Sequence, residues 1–208
     1  MTAPRDGLRL RLEPPGFALQ ARVACRRLAP DPTAAMPWVS YGFDRTAVGL
    51  AVDDAPGTGP TMTFEWLPAG DTPWWELEAE ALATLRTHTL RAQVREVPLD
   101  GATSRIATVG TDARLPDPWA CERICDPDAM RRIAADLDAG PDLLVAVPTR
   151  GFLAAMSAGS EPEAVRRFTM AAAARFRAGP NPITPVVFVV SRGLVAGRVD
   201  VSTIVGEA

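Results

Sequence analysis

Leu8-Arg9-Leu10-Arg11-Leu12 alternates apolar and charged positions, the period-two pattern of a half-buried strand. Phe17 to Cys25 repeats that alternation more loosely, and Trp38–Phe43 and Ala47–Val52 are short strand-like runs. DDAPGTGP, from Asp53 to Pro60, predicts a loop, after which Thr61–Leu67 resumes a strand pattern. Proline is dense throughout this part, so several of its strands are expected to be short or at sheet edges.

The period changes after Asp71-Thr72-Pro73. Trp74, Leu77, Ala81 and Leu85 fall on one helical stripe, with Glu76, Glu80 and Arg86 turned away, which predicts a helix over Trp74–His88. Asp71 or Thr72 would cap it and Pro73 would sit in its first turn. Leu90–Val97 and Ser104–Val109 read as paired strands across Pro-Leu-Asp-Gly. Pro118–Ile124 predicts a short helix, and Asp126-Pro127 opens another that runs to Asp138 and stops at Gly140.

Two apolar runs flank Pro148-Thr149-Arg150-Gly151, a connection too short for a crossover helix, so they should pair antiparallel. Pro162–Ala178 then predicts a helix with Val165, Phe168, Ala172 and Phe176 on one face, ended by Gly179-Pro180. Val186–Val190 and Leu194–Val201 read as a hairpin across Ser191-Arg192-Gly193. Strands joined by hairpins, with three to four inserted helices, make an α+β fold with an antiparallel sheet. Residues 1–70 form a β-rich segment or subdomain, packed as one unit with an α+β core over 71–208.

The order of Glu76–His88 (ELEAEALATLRTH), Trp119–Ile124, Leu143–Arg150 (LLVAVPTR) and Asn181–Phe188 (NPITPVVF) resembles that of the YtpQ-like proteins. These form a bacterial domain-of-unknown-function family. The resemblance covers about residues 74–200 and leaves the first 70 uncovered. In that family the Pro-x-Arg turn is usually followed by an acid; Gly151 stands there in this chain, which weakens any Arg–Asp functional pair. The resemblance implies an α+β cytoplasmic protein and supplies no reaction.

Composition narrows the chemistry. All 22 basic residues among the 208 are arginine, so no Schiff-base lysine, P-loop lysine or kinase strand lysine exists. A net charge of −3 argues against a nucleic-acid footprint, and no stretch is apolar enough for a membrane span. No apolar segment follows MTAPRDGLRLRLEPP, so no secretory leader is expected. With cysteines only at 25, 121 and 125, the expectation is a reduced cytoplasmic protein.

Cys121 and Cys125 share a helical face, but a zinc site would still need Cys25 and His88, isolated elsewhere. They read as small core cysteines, and neither metal nor cofactor is expected. His88 stands where it can satisfy helix carbonyls, and no G-x-S-x-G elbow accompanies it. Gly57-Thr58-Gly59 lacks a third glycine and a following helix, and Asp136-x-Asp138-x-Gly140 lacks the glutamate of a calcium loop.

The candidate binding residues are therefore Thr149 and Arg150 at the strand turn, with Trp119 and Trp75. Arg150 offers a forked anion-binding group, set against a structural ion pair. Trp75, about 100° from the core-facing Trp74, offers a contact aromatic. The expected function is a non-catalytic binding or protein-interaction module, its partner another protein or a second copy of the chain. The alternative is a hydrolase or transferase built from carboxylates around Arg150.

Overall fold

The computed structural model describes residues 7–17, 22–29, 36–46, 62–99, 102–110, 117 and 119–199. Ten strands, three α-helices and one 3-10 turn fall in this part, and the strands form two antiparallel sheets. The expected α+β class holds, with the strands divided between two sheets.

In the first sheet β3 (Trp38–Thr46) is central. One edge pairs with β1 (Leu8–Glu13), from Leu8 opposite Phe43 to Glu13 opposite Trp38. The other edge is shared end to end by β2 (Cys25–Arg27) and β4 (Met62–Trp66). The handover occurs at Tyr41, whose N–H donates to Ala24 and whose carbonyl accepts from Leu67. Of the strand expected over Phe17–Cys25, residues 18–21 lie outside the described residues; Val23 makes an isolated bridge to Pro68, and the β2 ladder begins at Cys25. The run at 47–52 and the loop at 53–60 lie outside the described residues.

Helix α1 (Trp74–Arg86) buries Leu77, Ala81 and Leu85, and the first two share one core with Leu8, Leu10 and Leu12 of β1. Two of its expected features fail. The N-cap residue is Pro73, not Asp71 or Thr72. Trp74 is 44% exposed rather than core, and its ring lies over the Arg26 guanidinium at 5.1 Å.

The second sheet runs β10-β9-β7-β8-β6-β5. The β5 (Ala92–Leu99) and β6 (Ala102–Val109) pair extends closer to its turn than expected, with Leu99 opposite Ala102. β7 (Asp142–Ala146) and β8 (Leu153–Ser157) pair antiparallel, as the short turn between them requires. β9 (Val187–Ser191) and β10 (Leu194–Arg198) form the terminal hairpin. Arg192 and Gly193 both hold positive φ, 51° and 88°, the conformation that matches a two-residue turn to strand twist.

Successive residues of β7 face opposite ways. Leu143 and Val145 join the large core shared with β1, β3 and α1, while Leu144 and Ala146 join a smaller one beneath α3 (Pro162–Ala178). Helix α3 ends where expected, but its buried stripe is Ala164, Phe168, Thr169 and Ala172, with Val165 and Phe176 only half-buried. Between β6 and β7 a 3-10 turn, Cys121–Cys125, leads into α2 (Pro127–Asp136). The Asp126 carboxylate caps α2, accepting from the Asp128 N–H, and the helix ends at Asp136 instead of Asp138, which turns left-handed at φ 53°.

The end of β6 passes hard against the β7–β8 turn. At Gly110, φ is 81°, and a Cβ would stand 2.0 Å from the Gly151 carbonyl oxygen. Gly110→Ala should therefore cost more than about 1 kcal/mol. Gly197→Ala, with open space around it, should stay within about 0.5 kcal/mol of the parent. Urea midpoints of the two variants check this, and equal midpoints would contradict the close approach.

Candidate functional site

Strand alternation puts Arg9, Arg11 and Glu13 on the face of β1 opposite its buried leucines. That face meets the β7–β8 turn. Arg150 Nη2 lies 3.2 Å from Glu13 Oε2, and Nη1 lies 3.5 Å from Glu122 Oε1. Both acids are almost fully buried, while the arginine side chain keeps 21% of its surface. Arg11 adds a second cation, its Nε 3.5 Å from Glu13 Oε1.

Every carboxylate oxygen in the cluster has a partner. Glu13 Oε1 also accepts from Ser40 Oγ at 3.3 Å and Trp66 Nε1 at 3.4 Å. Glu122 Oε1 accepts from the Leu12 N–H at 3.2 Å, and its Oε2 accepts from Cys121 Sγ at 2.9 Å. Two cations balance two anions, the condition under which buried charges persist. Burial still pushes the Glu122 carboxyl up, against the Cys121 hydrogen bond and Arg150, which pull it down. Burial, with the like charge of Arg150 beside it, pulls Arg11 down.

The neighbouring thiols are poor nucleophiles. Burial, reinforced by Glu122, holds Cys121 well above the ordinary thiol range, and burial likewise pushes Cys125 up. At neutral pH both stay protonated, and the thiol is the unreactive form. They sit on the 3-10 turn instead of the α-helical face expected, and both are free thiols. Among the described residues, no three His, Cys, Asp or Glu side chains converge as a metal site.

Trp119 lies further along the same face of β1. The Arg9 guanidinium stacks on its ring at 4.4 Å, and the His88 ring centroid is 6.1 Å away. His88 Nε2 is 3.0 Å from Arg9 Nη1; since a guanidinium only donates, the imidazole accepts and is neutral in this contact. At the end of α1, where His88 was expected to satisfy carbonyls, stands Arg123, which is 1% exposed. Arg123 donates to the carbonyls of Leu85 at 3.2 Å and His88 at 2.9 Å, and pairs with Asp117 at 3.4 Å.

The four sequence candidates thus have different surroundings. Arg150 and Trp119 both lie against the charged face of β1. Thr149 is 3% exposed, bridged to Pro182 and packed against Gly179, so it is part of the wall. Trp75 is elsewhere, 59% exposed on the first turn of α1. Glu13, Glu122, Arg9, Arg123 and Asp117 escaped the sequence reading. A signal for them existed in the charged half of the β1 alternation, and in Glu122-Arg123 enclosed by Cys121, Ile124 and Cys125.

No helix among the described residues is long and apolar enough to cross a membrane. Comparison with protein-family models, curated proteins and solved structures finds no match to this chain.

Removing Arg150 leaves two buried carboxylates short of a cation. Arg150→Ala should lose about 3–5 kcal/mol of stability at neutral pH. With Arg150 gone, the Glu122 carboxyl rises further above its unfolded value. A carboxyl raised in the folded state costs stability once pH exceeds that unfolded value, about 4.3. The deficit should therefore be smallest near pH 4 and grow toward pH 7. Urea unfolding of both proteins across that range measures it; a deficit that shrinks with rising pH would contradict the ion cluster.

Proposed function

We propose that this chain is a non-catalytic binding module that docks another protein through the start of α1. One observation carries the reading: Trp74 and Trp75 stand 44% and 59% exposed, side by side, with ring centroids 5.8 Å apart and edge-on. Tryptophan left in water is costly unless it is used, and it is enriched at binding hot spots. The pair is held in place from below. Arg26 stacks on Trp74 and its Nε donates to Glu78 Oε2 at 3.1 Å, linking β2 to α1.

Exposed Asp71 and Glu76 flank the pair. An acidic and aromatic surface suits a partner that presents arginine or lysine beside an apolar side chain. The same acidity disfavours nucleic acid. The free thiols of Cys121 and Cys125 support a reducing compartment, the cytoplasm, and the YtpQ-like resemblance supports a bacterial setting. The hydrolase or transferase alternative has less support, because both carboxylates near Arg150 are engaged with it and the adjacent thiols stay protonated.

Affinity capture with the wild-type chain and with Trp75→Ala tests the reading. The substitution should weaken the captured partner by about 2 kcal/mol, roughly 30-fold, while stability changes by less than about 0.5 kcal/mol. Sedimentation of the chain alone separates a foreign partner from a second copy. No partner, together with turnover in a broad hydrolase screen, would overturn the proposal.

A further inference from the structure

Beneath α3 the second sheet is not close-packed. A cleft of about 250 Å³ opens there, smaller than the roughly 300–1,000 Å³ of sites for drug-sized ligands. Its walls are Ile106 of β6, Phe152 and Ala154 at β8, and Phe168 and Ala172 of α3. The two phenylalanines are 9% and 6% exposed, so the space lies between buried aromatic surfaces.

Among the described residues, one cation stands at this cleft. Arg175 lines it, with its guanidinium 3.7 Å from the centroid of the Phe152 ring. No described carboxylate pairs with Arg175, in contrast to Arg166 and Arg167, which share Glu163 on the same helix. Arg175 does sit in the last turn of α3, where the helix end carries partial negative charge. Helical side chains lean toward the N-terminus, however, and this guanidinium lies over the Phe152 ring at the start of β8. A full positive charge outweighs the half charge of the helix end.

We propose that this cleft binds a small monocarboxylate with an apolar body, a short aliphatic chain or a single ring. The hydrocarbon enters between Phe152 and Phe168, and the carboxylate meets the Arg175 fork at the mouth. Stacking on Phe152 limits the motion of the guanidinium, so little freedom is lost when it grips the carboxylate. The site uses α3 and the second sheet only, and does not depend on the tryptophan surface of α1.

Calorimetric titration of the whole chain with hexanoate and benzoate, each matched against its neutral analogue, hexanol or benzyl alcohol, tests the site. One carboxylate should bind at 1:1 and its neutral analogue at least about tenfold more weakly, the worth of a charge-assisted contact. Arg175→Gln should erase that difference while the neutral analogue binds as before. Ala171→Leu, at an exposed position on the cleft wall, should weaken both ligands. Unchanged thermal melts would show that the variants fold. Equal binding of carboxylate and neutral analogue by the parent would overturn the carboxylate assignment. No binding of any probe, or binding unaffected by Ala171→Leu, would overturn the site.

Discussion

Two glutamates taken out of water set the terms for the rest of this structure. A carboxylate without a partner in a protein interior costs several kcal/mol, so Glu13 and Glu122 can be buried only if cations and donors reach them. Arg11 comes from β1 itself, and the other partners come from distant segments: Ser40 from β3, Trp66 from β4, and Arg150 from the β7–β8 turn. Satisfying the pair fixes where the first sheet lies against the second. The same requirement engages the arginine that, from sequence alone, looked most available for chemistry.

Arginine does similar work elsewhere, and the absence of lysine is best understood through geometry. Arg123 closes the end of α1 with two nitrogens on two carbonyls, and Arg105 does the same for α2 through Leu137 and Asp136. Arg86 grips the Asp126 carboxylate that caps α2 through Nε at 3.1 Å and Nη2 at 2.6 Å. Each contact uses a planar fork to hold more than one donor–acceptor line at once, which a single ammonium on a flexible stem cannot reproduce. Whatever set the composition of the chain, its helix ends are now built around that shape.

Local rules were readable in the sequence and remote pairings were not. Asp126-Pro127 marks the start of α2, Pro162 and Gly179 bracket α3, and Arg192-Gly193 makes the last hairpin; each depends on a few adjacent residues. The division into two sheets depends on which strand meets which across the chain, and no local pattern encodes that. Trp74 fell on the apolar stripe of α1, yet it covers Arg26, a residue nearly fifty positions earlier. For the candidate site, the sequence singled out Arg150 but not its partners, because Glu13 and Glu122 become informative only once β1 is docked. The exposure of Trp75 was readable, since helical geometry alone turns it from the core.

Sequence separation gives the ion cluster a meaning in time. Glu13 and Arg150 are 137 positions apart. A chain emerging from the ribosome from its N-terminus carries β1 long before the arginine that neutralises it exists. Until then Glu13 keeps its hydration, and β1 gains little by burying its charged face. β1 is thus made long before it can settle, and its docking reports that the chain has been synthesised past the β7–β8 turn.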